Sequence, residues 1–176
     1  MIARLIFTIA VTALLPLPAS AESPRCAALN QTLAHERSLL QSNTAPLVSG
    51  STLDATERAV RLSLQPFADA LLLKEPERAP AATGGHAGYV AIAAPPPGVY
   101  RITIATDAWV DVIENNGFVR PIASEGARGC DGLRRRLSFR LSGSPVVVQF
   151  SGVASDHVVF ALTRAPDPVS GQAPRP

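Results

Sequence analysis

The sequence predicts a mainly β protein, an antiparallel, jelly-roll-like β-sandwich that carries one N-terminal helix. Apolar and polar residues alternate with a period of two in short segments from about residue 58 onward, and Gly, Pro or Asn separates these segments. Nothing in the chain resembles a strand–helix–strand repeat of the kind that builds a parallel sheet. At 176 residues, the chain suits a single sandwich with one hydrophobic core.

The clearest alternation lies in residues 136–141, RLSFRL. It predicts three apolar side chains on the core face, with Arg136, Ser138 and Arg140 on the solvent face. Asn115-Asn116-Gly117 predicts a tight hairpin between two strands, and the Pro- and Gly-rich residues 74–88 are expected to form a surface loop. The other predicted strands are 58–65, 67–73, 89–94, 99–105, 109–114, 118–123, 146–150 and 157–163.

The start of the chain has the pattern of a secretory signal peptide. Arg4 precedes an apolar run over residues 5–15, and Ala19-Ser20-Ala21 supplies the small residues that a signal peptidase recognises. The apolar run is too short for a comfortable membrane span, which needs about 18 residues or more. We therefore expect residues 1–21 to be removed after Ala21, no membrane span to remain, and the mature protein to be periplasmic or secreted.

Three further regions follow the predicted signal peptide. A helix is expected over about residues 24–41, because Ser23 can cap it and Pro24 suits its first position. Residues 22–50 form this helix and a linker, residues 51–164 form the sandwich domain, and the Pro-rich residues 165–176 are expected to be a disordered tail.

The mature chain has two cysteines, Cys26 and Cys130. In an oxidising compartment, one disulfide joining the N-terminal segment to the sandwich is the simplest interpretation. A metal-binding thiolate and a catalytic cysteine remain alternatives. The flanking Arg128 and Arg134 would favour a thiolate at Cys130 if that cysteine were free.

The charge of the chain argues against a nucleic-acid partner. Removing residues 1–21, whose only charged residue is Arg4, lowers the formal net charge from +2 to +1. A nearly neutral protein has no overall field that would draw it to a polyanion.

One stretch of the chain is similar to known proteins. Residues 97–104, PGVYRITI, followed by residues 109–113, WVDVI, resemble the Pro-x-Gly-x-Tyr strand of bacterial pre-peptidase C-terminal-like and other jelly-roll domains. The run from Trp109 through Cys130 to Arg134-Arg135 looks like a group of uncharacterised exported proteobacterial proteins. The likeness covers about residues 88–164. It implies an exported β-sandwich with a binding or structural role, and it assigns no catalytic residues.

The sequence has no motif for a cofactor, a metal or a known hydrolase. Its three histidines, His35, His86 and His157, are widely spaced and lack the separations typical of metal sites. The Gly-x-Ser-x-Gly motif is absent. The Gly-rich segments 84–85 and 126–132 lack the Lys-Ser/Thr pair of a phosphate-binding loop. We therefore expect no cofactor.

Two features favour ligand binding. Trp109 is the only tryptophan, and Asp111 shares its face of a predicted strand, as in sandwiches that hold a sugar ring by stacking and hydrogen bonds. Trp109 is also suited to anchor the core, and for a large aromatic residue that interpretation is favoured. The second feature is a basic cluster of Arg128, Arg134, Arg135 and Arg136, which would meet an anionic group or simply protect a strand end.

The functional prediction is an exported, non-enzymatic binding or structural protein of the periplasm or envelope. Its candidate ligand residues are Trp109, Asp111, Arg128, Arg134 and Arg135, and its partner a carbohydrate or an envelope protein. One alternative is a small envelope enzyme or metal-handling protein using Cys130, His86 or His157. Another is an inhibitor or assembly accessory that presents residues 74–88 or 124–133 to a partner protein. The sequence does not predict an oligomeric state.

Overall fold

The computed structural model describes residues 26–28, 33–42, 44–54, 56–78, 85–126, 130 and 132–166. Within these residues, twelve strands form two sheets that pack face to face as a sandwich. The strands are β1 (Pro46–Val48), β2 (Thr52–Leu53), β3 (Arg58–Ser63), β4 (Gln65–Pro66), β5 (His86–Ile92), β6 (Gly98–Ile104), β7 (Trp109–Glu114), β8 (Gly117–Val119), β9 (Ala123–Gly126), β10 (Arg135–Leu141), β11 (Val146–Val153) and β12 (His157–Arg164).

The strand order confirms the predicted sandwich. The first sheet runs β1-β3-β12-β6-β10-β9 and the second runs β2-β5-β11-β7-β8, with β4 also paired to β5. Eight of these strands face each other as β3-β12-β6-β10 and β5-β11-β7-β8, which is the arrangement of a jelly roll. The sheets are mixed rather than purely antiparallel, because β1 pairs with β3 and β2 pairs with β5 in parallel.

The core lies between the two sheets and follows the predicted alternation. Leu137, Phe139 and Leu141 of β10 are buried in it. Phe150 of β11 meets Phe160 of β12 with ring centroids 4.8 Å apart. These contacts join the central strands of the two sheets.

Two predicted strands differ from the structure. Residues 67–73 form no strand: a short 3-10 helix covers Phe67–Asp69, and Leu71 is 90% exposed, so this apolar run does not face the core. The predicted strand 118–123 ends at Val119, and β9 begins only at Ala123. Pro121 lies in the gap, where its missing N–H interrupts the ladder.

The N-terminal region is helical in two pieces rather than as one helix over 24–41. Residues 26–28 are helical, Leu33 lies in a turn, and helix α1 spans Ala34–Leu40. Leu33 is fully buried in a small cluster with Leu133 and the two cysteines. Cys26 and Cys130 form the expected disulfide, with their Cα atoms 5.4 Å apart.

Helix α1 packs on the outer face of the first sheet, against β3 and β12. Ala59 and Ala161 are buried there, and their small side chains leave room for the helix. The helix also explains why Arg136, predicted to face solvent, is 7% exposed. Its guanidinium lies 3.2 Å from Glu36 of α1 and 2.7 Å from Glu125 of β9.

The structure leaves two predictions about the chain ends untested. Residues 1–21, the predicted signal peptide, and residues 167–176 of the predicted tail lie outside the described residues. Among the described residues, no helix is both long and apolar enough to cross a bilayer.

Candidate functional site

A groove opens at one edge of the sandwich because strand β8 is short. Strand β8 pairs with β7 only from Val112 to Glu114. Beyond Val119 the chain turns through Pro121 into β9 of the other sheet. The first half of β7 is therefore not covered by β8, and a groove of about 450 Å³ lies between it and strands β9 and β10.

Trp109 and Asp111 lie together on the outer face of β7. The indole Nε1–H of Trp109 donates to Asp111 Oδ1 at 2.8 Å. The core interpretation of Trp109 is wrong: the core positions of this strand are Val110 and Val112, and Trp109 is half-buried beside the groove. Because side chains alternate along a strand, two valines in the core place the tryptophan and the aspartate on the other face.

The carboxylate of Asp111 is buried but has no cationic partner among the described residues. It is 4% exposed, and its second oxygen accepts a hydrogen bond from the backbone N–H of Glu77 at 3.3 Å. Burial raises the pKa of Asp111 above its ordinary value, while the bonds from Trp109 and Glu77 act in the opposite direction. Asp111 thus serves as a fixed acceptor that orients its neighbours.

The backbone that reaches Asp111 belongs to residues 70–78, which we call the strap. The strap crosses the outer face of the second sheet. The backbone N–H of Lys74 donates to Gln149 Oε1 at 3.4 Å, and Gln149 Nε2 donates to the carbonyl of Lys74 at 2.8 Å. Two buried side chains therefore hold the strap. Gln149 of β11 binds it at Lys74, and Asp111 of β7 binds it at Glu77. The beginning of the predicted loop 74–88 is packed on the sheet, residues 79–84 lie outside the described residues, and His86 begins β5.

The strap brings charged groups to the rim of the groove. The guanidinium carbon of Arg78 lies 5.1 Å from the centroid of the Trp109 ring, within the range of a cation–π contact. Arg120 lies 3.3 Å from the carboxylate of Glu77. These exposed contacts are weak individually, but they place Arg78 over the Trp109 ring and Arg120 at the rim of the groove.

The predicted basic cluster does not form as one patch. Arg134 hydrogen-bonds to Asp107, and Arg136 is buried under helix α1. Arg135 alone of these three lines the groove, and it forms no ion pair with any residue that the structure describes. Neighbouring residues on a strand point to opposite faces, so three consecutive arginines reach different surroundings. Arg128 lies outside the described residues.

The alternative predictions placed a catalytic or metal site at Cys130, His86 or His157. Cys130 is in the disulfide, so it offers neither a catalytic nor a metal-binding thiolate. His86 is half-buried, and its Nδ1 has no hydrogen-bond partner among the described residues. Over the described parts of the chain, no three His, Cys, Asp or Glu residues lie close enough to hold a metal ion. His157, at the start of β12 in the first sheet, is hydrogen-bonded to the neighbouring Asp156.

The strap was not predicted from the sequence, and neither were Arg78 and Arg120 at the rim. One signal was present: Gln149 is a polar residue inside the apolar run 146–150, VVVQF. A buried polar side chain needs a hydrogen-bond partner, so its position indicated that a further segment covers that face of the sheet.

Neither the protein-family models nor the curated proteins compared with this chain match it. The resemblance to pre-peptidase C-terminal-like domains therefore stays a prediction, and the functional argument rests on the geometry of the site.

Proposed function

We propose that the chain is an exported binding protein whose groove takes a small anionic ligand, of the class of acidic saccharides. The observation that carries this proposal is Arg135. It lies half-buried in the groove beside Trp109 and has no ion pair with the described residues. A partly desolvated cation that no described residue pairs with favours an anionic ligand, and a guanidinium can bind a carboxylate with two parallel hydrogen bonds.

The size and lining of the groove fit a mono- or disaccharide. Its volume of about 450 Å³ lies in the range of small-molecule sites, roughly 300–1,000 Å³. Val119 and Pro121 offer apolar surface to the carbon face of a sugar ring, while Ser124 and Glu77 offer hydrogen bonds to its hydroxyl groups. Trp109, whose indole N–H is held by Asp111, adds an aromatic surface of the kind typical of ligand sites.

The groove is suited to holding a ligand rather than to transforming it. Both oxygens of Asp111, the buried carboxylate at this site, already accept hydrogen bonds from Trp109 and Glu77. This supports a non-enzymatic role for the groove.

Two observations support export. The Cys26–Cys130 disulfide is typical of proteins that fold outside the reducing cytoplasm. Residues 1–21 have the sequence pattern of a signal peptide. A periplasmic or secreted binding protein is consistent with both.

The test is calorimetric titration with digalacturonate and with the neutral disaccharide of the same linkage. We expect the wild-type protein to prefer the acidic sugar, and Arg135→Gln to weaken its binding about tenfold or more, because a charge-assisted hydrogen bond contributes about 1.5–3 kcal/mol. The neutral disaccharide should bind the variant and the wild type alike.

The matched control is Arg140→Gln. Arg140 lies on the same strand, is exposed, and points to the opposite face of the first sheet. Its replacement removes the same charge without touching the groove, so binding should be unchanged. Equal weakening by both substitutions would show a general charge effect and would refute the proposed site. So would the absence of any acid preference in the wild type.

A further inference from the structure

A second depression lies away from the groove, on the outer face of the first sheet. Ser63 ends strand β3 and His157 begins strand β12, and the two residues stand directly opposite each other in the antiparallel register. Directly opposite residues have Cβ atoms about 5 Å apart, with side chains on the same face. The depression has a volume of about 450 Å³ and is lined by Thr44, Pro46, Arg61, Ser63, Leu64, Asp156 and His157.

Asp156 fixes the orientation of the His157 ring. Its carboxylate lies 2.8 Å from His157 Nδ1, and this bond holds the pKa of Asp156 below its ordinary value. A carboxylate accepts from Nδ1–H, so the neutral imidazole keeps its lone pair on Nε2. His157 is thereby arranged as a base on the ring nitrogen that Asp156 does not occupy.

Backbone contacts hold this turn in place. The N–H of Leu64 donates to the carbonyl of Asp156 at 2.7 Å, which ties the residue after Ser63 to the turn that carries the histidine. The hydroxyl of Ser155 donates to the carbonyl of His157 at 2.7 Å. The serine and the histidine therefore sit on two segments that are bonded to each other.

The hydroxyl of Ser63 and the guanidinium of Arg61 are both available. Ser63 is half-buried, and its hydroxyl makes no hydrogen bond with the part of the chain that the structure describes. Arg61 lies two residues earlier on the same face, is exposed, and has no ion pair within the described residues. Ser63 Oγ and His157 Nε2 are not hydrogen-bonded to each other in this structure, but they lie on directly opposite residues of one sheet face. A hydroxyl across from a carboxylate-oriented imidazole becomes an activated nucleophile when the two side chains meet over a bound substrate, and such contacts are often longer without substrate.

We infer that Ser63, His157 and Asp156 form a nucleophilic serine site that hydrolyses small carboxylic esters bearing an anionic group. Arg61 binds that anionic group at the edge of the depression. This activity is separate from the groove on the other side of the molecule, so either proposal stands or fails without the other.

Each of these groups has one role in the proposed hydrolysis. Ser63 Oγ attacks the ester carbonyl carbon while His157 Nε2 takes the hydroxyl proton, and Asp156 stabilises the imidazolium. The carbon–oxygen bond to the alcohol then breaks, and the alcohol leaves with that proton. Water, deprotonated by His157, attacks the acyl-serine, which releases the carboxylic acid and restores Ser63.

The first test is labelling of the full mature protein with a fluorophosphonate. Attack by Ser63 forms an oxygen–phosphorus bond and expels fluoride, so intact mass should show a single adduct, mapped to Ser63 by peptide sequencing. Ser63→Ala should abolish the adduct. An unlabelled wild-type protein, or an adduct that persists in Ser63→Ala, would overturn the inference.

The contribution of the histidine is tested against a matched histidine. His35 also lies 3.0 Å from a carboxylate, that of Glu57, but on helix α1 rather than opposite a serine. We expect His157→Gln to slow labelling at least 100-fold, within the range of general-base effects, and His35→Gln to leave the rate unchanged. Equal rates in the two variants would contradict the assigned base. Thermal melts of both variants show that each is folded.

The specificity is tested with 4-nitrophenyl hydrogen succinate and neutral 4-nitrophenyl acetate. The wild type should hydrolyse the anionic ester with the higher kcat/KM. Arg61→Gln should raise KM for that ester, with little change in kcat or in hydrolysis of the acetate. An unchanged preference in Arg61→Gln would refute the role of Arg61 in binding the anionic group.

Discussion

Asp111 shows how a single buried carboxylate organises the site. It is nearly inaccessible to solvent, and N–H donors from Trp109 and Glu77, rather than a cation, satisfy its two oxygens. One of these bonds fixes the tryptophan ring and the other fixes the strap. The geometry of the groove rim therefore depends on Asp111. Burial of this side chain opposes its ionisation.

The pH dependence of Asp111→Asn tests this description. Burial raises the folded-state pKa above the ordinary 3.8, so the folded state binds more protons than the unfolded state between these two pKa values. The contribution of Asp111 to the free energy of unfolding therefore falls as the pH rises through this window and stays lower above it. The asparagine variant has no ionisable group at this position, so its free energy of unfolding lacks this pH dependence. It also has one acceptor oxygen fewer than aspartate, which costs about 1 kcal/mol.

Urea unfolding of both proteins from pH 3 to pH 7 makes the comparison. The stability advantage of the wild type over the asparagine variant should shrink as the pH rises. An advantage that grows with pH would mean that the folded state favours the ionised carboxylate, contrary to the direction of the pKa shift.

At the scale of elements, an ion network attaches helix α1 to the first sheet. Arg136 bridges Glu36 of the helix and Glu125 of the edge strand β9. Glu36 is 4% exposed, so removing the arginine leaves a buried charge without its cation. We expect Arg136→Gln to lower the free energy of unfolding by about 3–5 kcal/mol, as for other broken buried ion pairs.

A double variant separates the ion pair from simple packing. Replacing Glu36 and Arg136 together by leucine removes both charges, and should destabilise the protein less than Arg136→Gln alone. Chemical denaturation of the three proteins measures this. If the double variant is less stable than Arg136→Gln, the unpaired buried charge of Glu36 is not the cause of the destabilisation.

The sequence predicted some elements well and others poorly, for physical reasons. Strand β10 was predicted because its alternation persists over the six residues 136–141 with one face in the core. Strands β1 and β2, of three and two residues, are too short to show a period. No pattern of side chains predicts where the strap lies, because its backbone rather than its side chains contacts Gln149 and Asp111.

At the scale of the whole molecule, the disulfide joins the N-terminal segment to Cys130 in the connection between β9 and β10, across 104 residues. Closing a loop of this length restricts the unfolded chain, which stabilises the fold by about 4–5 kcal/mol on the chain-entropy model. We expect replacement of Cys26 and Cys130 together by serine to lower the free energy of unfolding by roughly this amount, or by somewhat less if the folded state is strained.

Reductant provides the control for the disulfide. Dithiothreitol should destabilise the wild type about as much as the double substitution does, and should leave the double-serine variant unchanged. Equal stability of the oxidised wild type and the variant would show that the crosslink does not stabilise the fold.

The sandwich could be predicted from the whole sequence, whereas the candidate site could be predicted only in part. Trp109, Asp111 and Arg135 were identified as candidates, because an aromatic residue, a carboxylate and an arginine stand out on strands. The groove itself was not predictable, because Arg78 from the strap and Arg120 beyond β8 also line it. These segments are far apart in the chain and meet only through the strand order of the jelly roll.

If the groove beside Trp109 binds the acidic saccharide, the ligand must change the surroundings of the indole ring. Because Trp109 is the only tryptophan, its indole N–H gives a single, assignable nuclear magnetic resonance signal. We would follow that signal while digalacturonate is added to the mature protein. We expect a saturable shift that is much reduced in Arg135→Gln and retained in Arg140→Gln. A saturating ligand that leaves the indole signal unmoved would show that the ligand site is not this groove.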